Sequence, residues 1–185
     1  MRTFLALPIP DHVRAHLGVQ QFLLPLPNTV PSETFHITLV YLGEVPDTVL
    51  EGVHDRMLAL RMPSFDLHLH GLGHFGHAKP HTVYAAVMPS DPLVRLQAKI
   101  ATIARAAGAV VPAARYVPHV TLGRFRTPPP EDCMRIERSI AQSGAFRTEP
   151  FGVDEVMLYQ SFPGPRYDML ASYPLTAQPP PPGNQ

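Results

Sequence analysis

Two short segments of the sequence repeat one order of residue types: a histidine, an apolar residue, a threonine and a second apolar residue. The first tetrad begins at His36 and reads HITL, and the second begins at His119 and reads HVTL. On a β-strand, residues two apart point to the same side and lie about 6.6 Å apart along the chain. We therefore expect each tetrad to project one imidazole and one hydroxyl into the same space.

The residue types in the tetrads suit the opening of a cyclic phosphodiester. That reaction needs a base that takes a proton from water and an acid that gives a proton to the departing ribose oxygen. The pKa of an unperturbed histidine lies near 6.5, so one ring can be neutral and another charged near neutral pH. We predict that His36 and His119 are the catalytic pair, and that Thr38 and Thr121 donate hydrogen bonds to the phosphate oxygens.

One His-x-Thr segment by itself indicates no more than a polar residue on the solvent side of a strand. Two copies favour a shared site, provided that strands position both of them. Residues 34–42 and 117–125 have the required strand pattern. In the first of these we expect Phe35, Ile37, Leu39 and Tyr41 to share the apolar face, opposite the histidine and the threonine.

The elements around these two strands follow from hydrophobic periodicity and from turn residues. Further strands are predicted at residues 2–7, 64–72, 81–88, 151–160 and 167–175, and helices at 11–22, 47–60, 93–107 and 131–142. This order predicts an α+β fold with a loose internal duplication, in which each half contributes one tetrad across a cleft. We expect one domain over residues 1–176 and a disordered, proline-rich tail over 177–185.

Composition narrows the classes of function. The 185 residues suffice for one core, and 15 basic against 15 acidic residues give no net charge, so any phosphate site must be local. The single cysteine, Cys133, excludes a disulfide framework and favours a reducing cytoplasm. No segment approaches the roughly 18 apolar residues of a membrane span.

The chain also carries histidines that suggest a metal at first sight. Their spacings match no standard zinc module, so solvated strand and loop histidines are the preferred interpretation and no metal is expected. Arg115, Arg126 and Arg166 are candidates for the entrance to the cleft, although surface arginines usually serve solubility alone. The crowded histidines are His68, His70, His74, His77 and His81.

Beyond the tetrads, four segments of the sequence resemble the motif blocks of the 2H phosphoesterase superfamily. Within it, they are most similar to the bacterial and archaeal RNA 2′,3′-cyclic phosphodiesterases formerly called 2′-5′ RNA ligases. The segments are FHITLVYLGEV at 35–45, a glycine-phenylalanine loop at 71–80, PHVTLGR at 118–124 and LYQSFPGPRY at 158–167. The resemblance spans roughly residues 2–175.

The resemblance implies a bilobal fold, with two pseudo-symmetric halves whose antiparallel sheets line a central cleft and whose helices lie outside. It implies that no metal or cofactor is needed, and that Arg124 joins the two threonines at the phosphate. It also implies hydrolysis of a 2′,3′-cyclic phosphate to a 2′-phosphate, with His36 as the acid on the 3′ oxygen and His119 as the base. The residues alone leave that direction open, since the two half-sites look equivalent.

The contacts to the nucleotide follow less directly from the resemblance. Where relatives often carry an arginine and a tryptophan, this chain has His81 and Tyr84. An aromatic ring for stacking on a base is available at Phe75 or Tyr41. The expected substrates are RNA ends or cyclic nucleotides, bound by a monomer. Two alternatives stay open: a related phosphodiesterase or reversible 2′-5′ RNA ligase on another nucleotide, and a non-catalytic module that binds RNA ends.

Overall fold

A computed structural model of the protein describes residues 2–77, 79–126 and 128–177. Within these residues the helices are α1 (Asp11–Leu23), α2 (Asp47–Leu58), α3 (Asp91–Ala106) and α4 (Pro130–Gln142), with a short 3₁₀ helix at Ser32–Thr34. The strands are β1 (Arg2–Pro8), β2 (His36–Glu44), β3 (Phe65–Leu67), β4 (Leu69–Phe75), β5 (Thr82–Val87), β6 (His119–Arg124), β7 (Phe151–Val153), β8 (Glu155–Ser161) and β9 (Tyr167–Pro174).

Seven of these strands form one antiparallel sheet, in the order β4-β5-β6-β2-β1-β8-β9. The two tetrad strands, β2 and β6, are neighbours at its centre, and they are joined there through Ile37 and Val120. By contrast, β1 pairs with β2 along its whole length. The sheet therefore divides at this narrow junction into two halves, which confirms the expected α+β, bilobal architecture.

The core lies on the side of the sheet to which the apolar tetrad residues point. Ile37, Leu39, Val120 and Leu122 are all buried, and α3 packs against β2. The faces predicted for these residues are confirmed. Burial of the apolar face leaves the histidines and threonines on the opposite face, because neighbouring residues of a strand alternate between faces.

The predicted apolar face of β2 is wrong at one position, Tyr41, which is 51% exposed. The pairing of β1 with β2 shifts register between Leu5, opposite Val40, and Ala6, opposite Thr38. Leu39 is thus an extra residue that forms a bulge, and a bulge reverses the alternation of faces beyond it. The ring of Tyr41 therefore lies on the same side as the tetrad histidines.

Two predicted strands are each divided in two. The predicted strand 64–72 contains β3 and the beginning of β4, and the strand 151–160 contains β7 and β8. β3 and β7 pair with each other in a separate two-stranded sheet, whereas β4 and β8 belong to the large sheet. Phe65, Leu67 and Leu69, which alternate with polar residues along the predicted strand, are nevertheless all buried. β4 also continues to Phe75, so the first half of the expected glycine-phenylalanine loop at 71–80 is part of a strand.

Of the predicted tail, residues 178–185 lie outside the described residues. In the part that the structure describes, no helix combines the length and the apolar character that crossing a membrane requires.

Candidate active site

The register between β2 and β6 brings the four polar tetrad residues together. Because Ile37 lies opposite Val120 in an antiparallel pair, His36 comes beside Thr121 and Thr38 beside His119. All four side chains are partly buried and line one cavity of about 360 Å³. The two segments that are 83 residues apart in sequence therefore face a single space, as the repeated pattern predicts.

Each histidine is oriented by the backbone carbonyl two residues before it. Nδ1 of His36 lies 2.7 Å from the carbonyl oxygen of Thr34, and Nδ1 of His119 lies 2.7 Å from that of Val117. A carbonyl oxygen only accepts hydrogen bonds, so Nδ1 carries the proton in both rings. In the neutral rings Nε2 is left as the acceptor, and this is the arrangement that a general base needs.

The two half-sites differ in the contact made by Nε2. Nε2 of His36 lies 3.1 Å from the hydroxyl oxygen of Thr38. Because Nδ1 holds the ring proton, the Thr38 hydroxyl donates to Nε2. This hydrogen bond fixes the His36 ring against the next outward-facing residue of β2. The Thr38 hydroxyl must break it before it can donate to an oxygen of a ligand.

Aromatic rings surround His36 on the side of β1 and β9. The Phe4 ring centroid lies 4.9 Å from that of His36, and the Tyr167 ring meets His36 edge-on at 5.3 Å and 90°. Phe4 and Tyr167 also contact each other at 5.1 Å. These rings exclude water from one side of the imidazole, and charge interactions strengthen where water is excluded.

His119 has a corresponding aromatic pair from β4 and β5. Phe75 meets the His119 ring edge-on at 5.0 Å and 81°, and the Tyr84 ring centroid lies 5.1 Å from that of His119. Phe75 and Tyr84 pack on each other at 4.5 Å. A Cβ atom on Gly73 would lie 2.7 Å from the Tyr84 hydroxyl oxygen, so a glycine is needed there to make room for Tyr84.

Burial sets the protonation state of the pair. Burial is the largest cause of the lowered pKa of His36, which falls from 6.5 to about 4. The hydrogen bond to the Thr34 carbonyl opposes this effect and raises the pKa, whereas the charges of His119 and Arg124 lower it. Burial and then Arg124 also lower the pKa of His119, against the opposing effect of the Val117 carbonyl. Both rings are therefore neutral at neutral pH. A bound phosphate anion would raise both pKa values, because it favours the charged form.

Arg124, the last residue of β6, is exposed and lines the same cavity. Its position depends on close packing by the loop after α1. The side-chain amide of Asn28 donates to the Arg124 carbonyl at 3.1 Å, and Thr29 pairs with Gly123. A Cβ atom on Gly123 would lie 2.8 Å from the Asn28 carbonyl oxygen, so only glycine allows this approach.

The segment before β6 and helix α3 both support the backbone of the first tetrad. The Tyr116 hydroxyl donates to the Thr38 carbonyl at 3.1 Å, and the Gln97 side chain reaches the Leu39 carbonyl at 3.4 Å. These carbonyls lie at the β2 bulge, where the sheet does not pair every group. Burial raises the pKa of Tyr116, so its hydroxyl stays protonated as a donor.

Of the candidates for stacking, Tyr41 lines the cavity, whereas Phe75 lies beside His119 with a neighbouring ring against it. Of the suggested entrance arginines, Arg166 lines an adjacent cavity that also contacts His36. In the described part of the chain, no three His, Cys, Asp or Glu side chains are grouped so that they could hold a metal ion.

The sequence reasoning missed several residues that line the cavity. Arg2 and Phe4 carried no signal of their own, because an arginine or a phenylalanine in a strand has no repeated partner that marks it. Ser161 and Tyr167 lie in the motif segment at 158–167, but no role was assigned to them. The pairing of β1 with β2 brings Arg2 and Phe4 to the cavity, and the pairing of β8 with β1 brings Ser161 there. The missed residues are Arg2, Phe4, Val30, Thr34, Ser161 and Tyr167.

A family model described as the 2′-5′ RNA ligase superfamily matches residues 9–161. The chain is 26% identical over 185 residues to an RNA 2′,3′-cyclic phosphodiesterase of Geobacillus stearothermophilus, covering 95% of this chain and 58% of that protein. It is 32% identical over 114 residues to the protein of the same name in Aeropyrum pernix, covering 60% of this chain and 61% of that protein. The chain thus spans less than two thirds of the length of both relatives.

A third relative, the RNA 2′,3′-cyclic phosphodiesterase of Thermus thermophilus, is 30% identical over 142 residues, which cover 70% of this chain and 71% of that protein. Two solved structures share the fold. TT0787 of Thermus thermophilus has a TM-score of 0.76 at 24% identity, covering 96% of this chain and 100% of the other. LigT of E. coli in complex with 3′-AMP has a TM-score of 0.75 at 23% identity, covering 95% and 98%.

Proposed function

Since the chain belongs to the 2′-5′ RNA ligase superfamily, we propose that it hydrolyses RNA 2′,3′-cyclic phosphate ends to 2′-phosphates, with His36 and His119 as acid and base. The observation that carries this proposal is that both imidazoles line one cavity, each with Nδ1 held by a backbone carbonyl. The names of the relatives in Geobacillus stearothermophilus and Aeropyrum pernix support the choice of substrate.

In the proposed reaction, Nε2 of His119 takes a proton from water as the water oxygen attacks phosphorus. The bond between phosphorus and the 3′ oxygen breaks, and Nε2 of His36 gives its proton to that oxygen. One proton has therefore to be bound at His36 before the reaction. Burial lowers the pKa of His36 to about 4, so this uptake depends on the phosphate. The negative charge of a bound phosphate would raise the pKa of His36, because it favours the charged form.

The threonines and Arg124 act on the phosphate itself in this proposal. The hydroxyls of Thr38 and Thr121 donate to the non-bridging oxygens, where negative charge increases as phosphorus becomes five-coordinate. Thr38 gives up its bond to His36 when it does so, which frees Nε2 for the leaving oxygen. Arg124 supplies a fixed positive charge at one end of the cavity.

Tyr41 and Phe75 are the proposed surfaces for base stacking. Tyr41 is half-exposed within the cavity, so its ring has a free face for a base. Phe75 already packs on Tyr84, so it would offer the remaining part of its ring. The proposal also takes residues 1–176 as one bilobal domain that acts as a monomer in the cytoplasm, without a metal or a cofactor.

The direct test is incubation of the purified protein, in EDTA, with an oligonucleotide that ends in a 2′,3′-cyclic phosphate. Identification of the product separates the two possible leaving groups. A 2′-phosphate is expected if His36 is the acid on the 3′ oxygen. The His36→Gln/His119→Gln double variant, purified in the same way, controls for contaminating nucleases. A metal requirement, or equal activity of the double variant, would contradict the proposal.

The family description favours a second reaction of the same groups. If the 5′-hydroxyl of another RNA replaces water as the attacking group, the product is a 2′-5′ linkage. The assay then contains a 5′-hydroxyl acceptor in excess, and the joined product is sought by its length. Both reactions should disappear in the double variant.

A further inference from the structure

We propose that Arg2 binds the phosphodiester on the 5′ side of the terminal nucleotide, so that the site takes the end of an RNA chain in preference to a cyclic mononucleotide. This inference rests on the proposed function of the same cavity. The new element is the residue that would bind a second phosphate, together with the preference for an RNA chain that follows from this contact.

The position of Arg2 is given by strand register. Arg2 lines the same cavity as the two histidines, and it lies opposite Glu44 at the far end of β2. In β1, Ala6 lies opposite Thr38, so Arg2 is four residues further along the strand. At about 3.3 Å per residue, this corresponds to about 13 Å between backbone positions. Because the Arg2 side chain lines the cavity, its guanidinium would lie closer than this to a phosphate held by the tetrads.

Arg124 lies at the other end of the cavity. β6 runs opposite to β2 with Val120 beside Ile37, so Arg124 comes near the beginning of β2. The two arginines therefore flank the tetrads from opposite ends. A cyclic phosphate bound between the histidines would have the guanidinium of Arg124 nearby. Arg2 could then bind another phosphate further along the same ligand.

The guanidinium of Arg2 is available for that role. Its Nε donates to Oε1 of Glu44 at 3.1 Å, with the side chains 64% and 68% exposed. Exposed ion pairs of this kind contribute about 0–1 kcal/mol. Within the described residues, the two terminal nitrogens of Arg2 make no hydrogen bond. Two terminal N–H groups side by side match the two oxygens of a phosphodiester.

The neighbours of Arg2 fit the same ligand. Ser161 lies opposite Arg2 in β8 and Tyr41 lies on β2, and both line the cavity. This end therefore offers a guanidinium, a hydroxyl and an aromatic ring, which are the groups that contact the backbone and the bases of single-stranded RNA. Arg166 does not line this cavity. Its guanidinium lies 4.5 Å above the Phe162 ring and pairs with Asp168.

The test compares kcat/KM for a cyclic mononucleotide with kcat/KM for a dinucleotide that ends in the same cyclic phosphate. The wild-type protein is expected to prefer the dinucleotide. Arg2→Gln should lower kcat/KM for the dinucleotide about tenfold, as loss of a charged hydrogen bond to phosphate does, and leave the mononucleotide within about twofold. The slope of log binding constant against log salt concentration for the dinucleotide should also become shallower by about one, since one phosphate contact is lost. Arg138→Gln, on the exposed side of α4, should change neither substrate.

Four results would overturn the inference. An equal loss on both substrates would place Arg2 at the terminal phosphate or in folding, and no loss on either would remove it from binding. A wild-type protein that hydrolyses the mononucleotide as efficiently as the dinucleotide would also overturn it, while leaving the proposed function intact. If the wild-type protein hydrolyses neither, the proposed function fails together with this inference. Glu44→Gln, which releases Arg2, should by contrast raise kcat/KM for the dinucleotide alone.

Discussion

Ile37 lies opposite Val120 in the antiparallel pair that joins the two halves of the sheet. Each is the second residue of its tetrad, so an approximate two-fold rotation about this pair relates His36 to His119 and Thr38 to Thr121. A slip of one residue in either strand would turn its polar pair towards the core. The buried apolar residues of both strands therefore protect the geometry of the site.

His36→Gln and His119→Gln are each expected to lower kcat at least about 100-fold, because glutamine can hydrogen bond but cannot transfer a proton at neutral pH. Steady-state kinetics on a cyclic dinucleotide in EDTA measure the loss. Thermal unfolding of each variant is the control for folding. Turnover near the wild-type value in either variant would show that the assigned roles are wrong.

Thr38→Ala and Thr121→Ala are each expected to raise the barrier by about 2 to 4 kcal/mol, since each removes one donor to the developing negative charge. Thr38→Ser and Thr121→Ser are the matched controls, because they keep the hydroxyl and lose only a methyl group. The measurement is kcat with substrate in excess. An equal loss in the serine and alanine variants would assign the effect to packing instead of hydrogen bonding.

Stability should rise with pH between about 4 and 6.5. The pKa of His36 is lowered to about 4 in the folded protein, against 6.5 for the unfolded chain. In this window the unfolded chain binds more protons than the folded protein, so the free energy of unfolding increases with pH. The lowered pKa of His119 acts in the same direction.

Urea unfolding at several values between pH 4 and pH 7 measures this dependence. His36→Gln should make it less steep, because glutamine does not titrate. A slope that is the same in His36→Gln and in the wild-type protein would mean that other groups cause it.

Gly73→Ala should lower kcat, because the new methyl group would lie 2.7 Å from the Tyr84 hydroxyl and would move that ring. Tyr84 packs against both Phe75 and His119, so its displacement reaches the proposed base. The informative comparison is the Gly73→Ala/Tyr84→Ala double variant beside Tyr84→Ala. The double variant should have nearly the same kcat as Tyr84→Ala, because the ring that the new methyl group would displace is absent. If Gly73→Ala lowers kcat by the same factor in both backgrounds, Gly73 acts through the backbone and not through Tyr84.

Much of the fold was predictable because its signals are local. The apolar alternation of β2 and β6 placed the histidines and threonines on one face, and Gly108, at φ +100°, follows α3 as expected for a helix end. The divided strands were not predictable. β3 and β4 read as one alternating run, and only the pairing of β3 with β7 separates them.

By itself, the sequence determined which residues of the two tetrads face the core and which face the cavity, since the period of a strand is a property of neighbouring residues. The tertiary structure decided the rest. Pairing with β1 creates the bulge at Leu39 that turns Tyr41 into the cavity. It also brings Arg2 to the end of that cavity opposite Arg124. Register and bulges depend on which strands pair, and that choice is made by contacts between residues far apart in the chain.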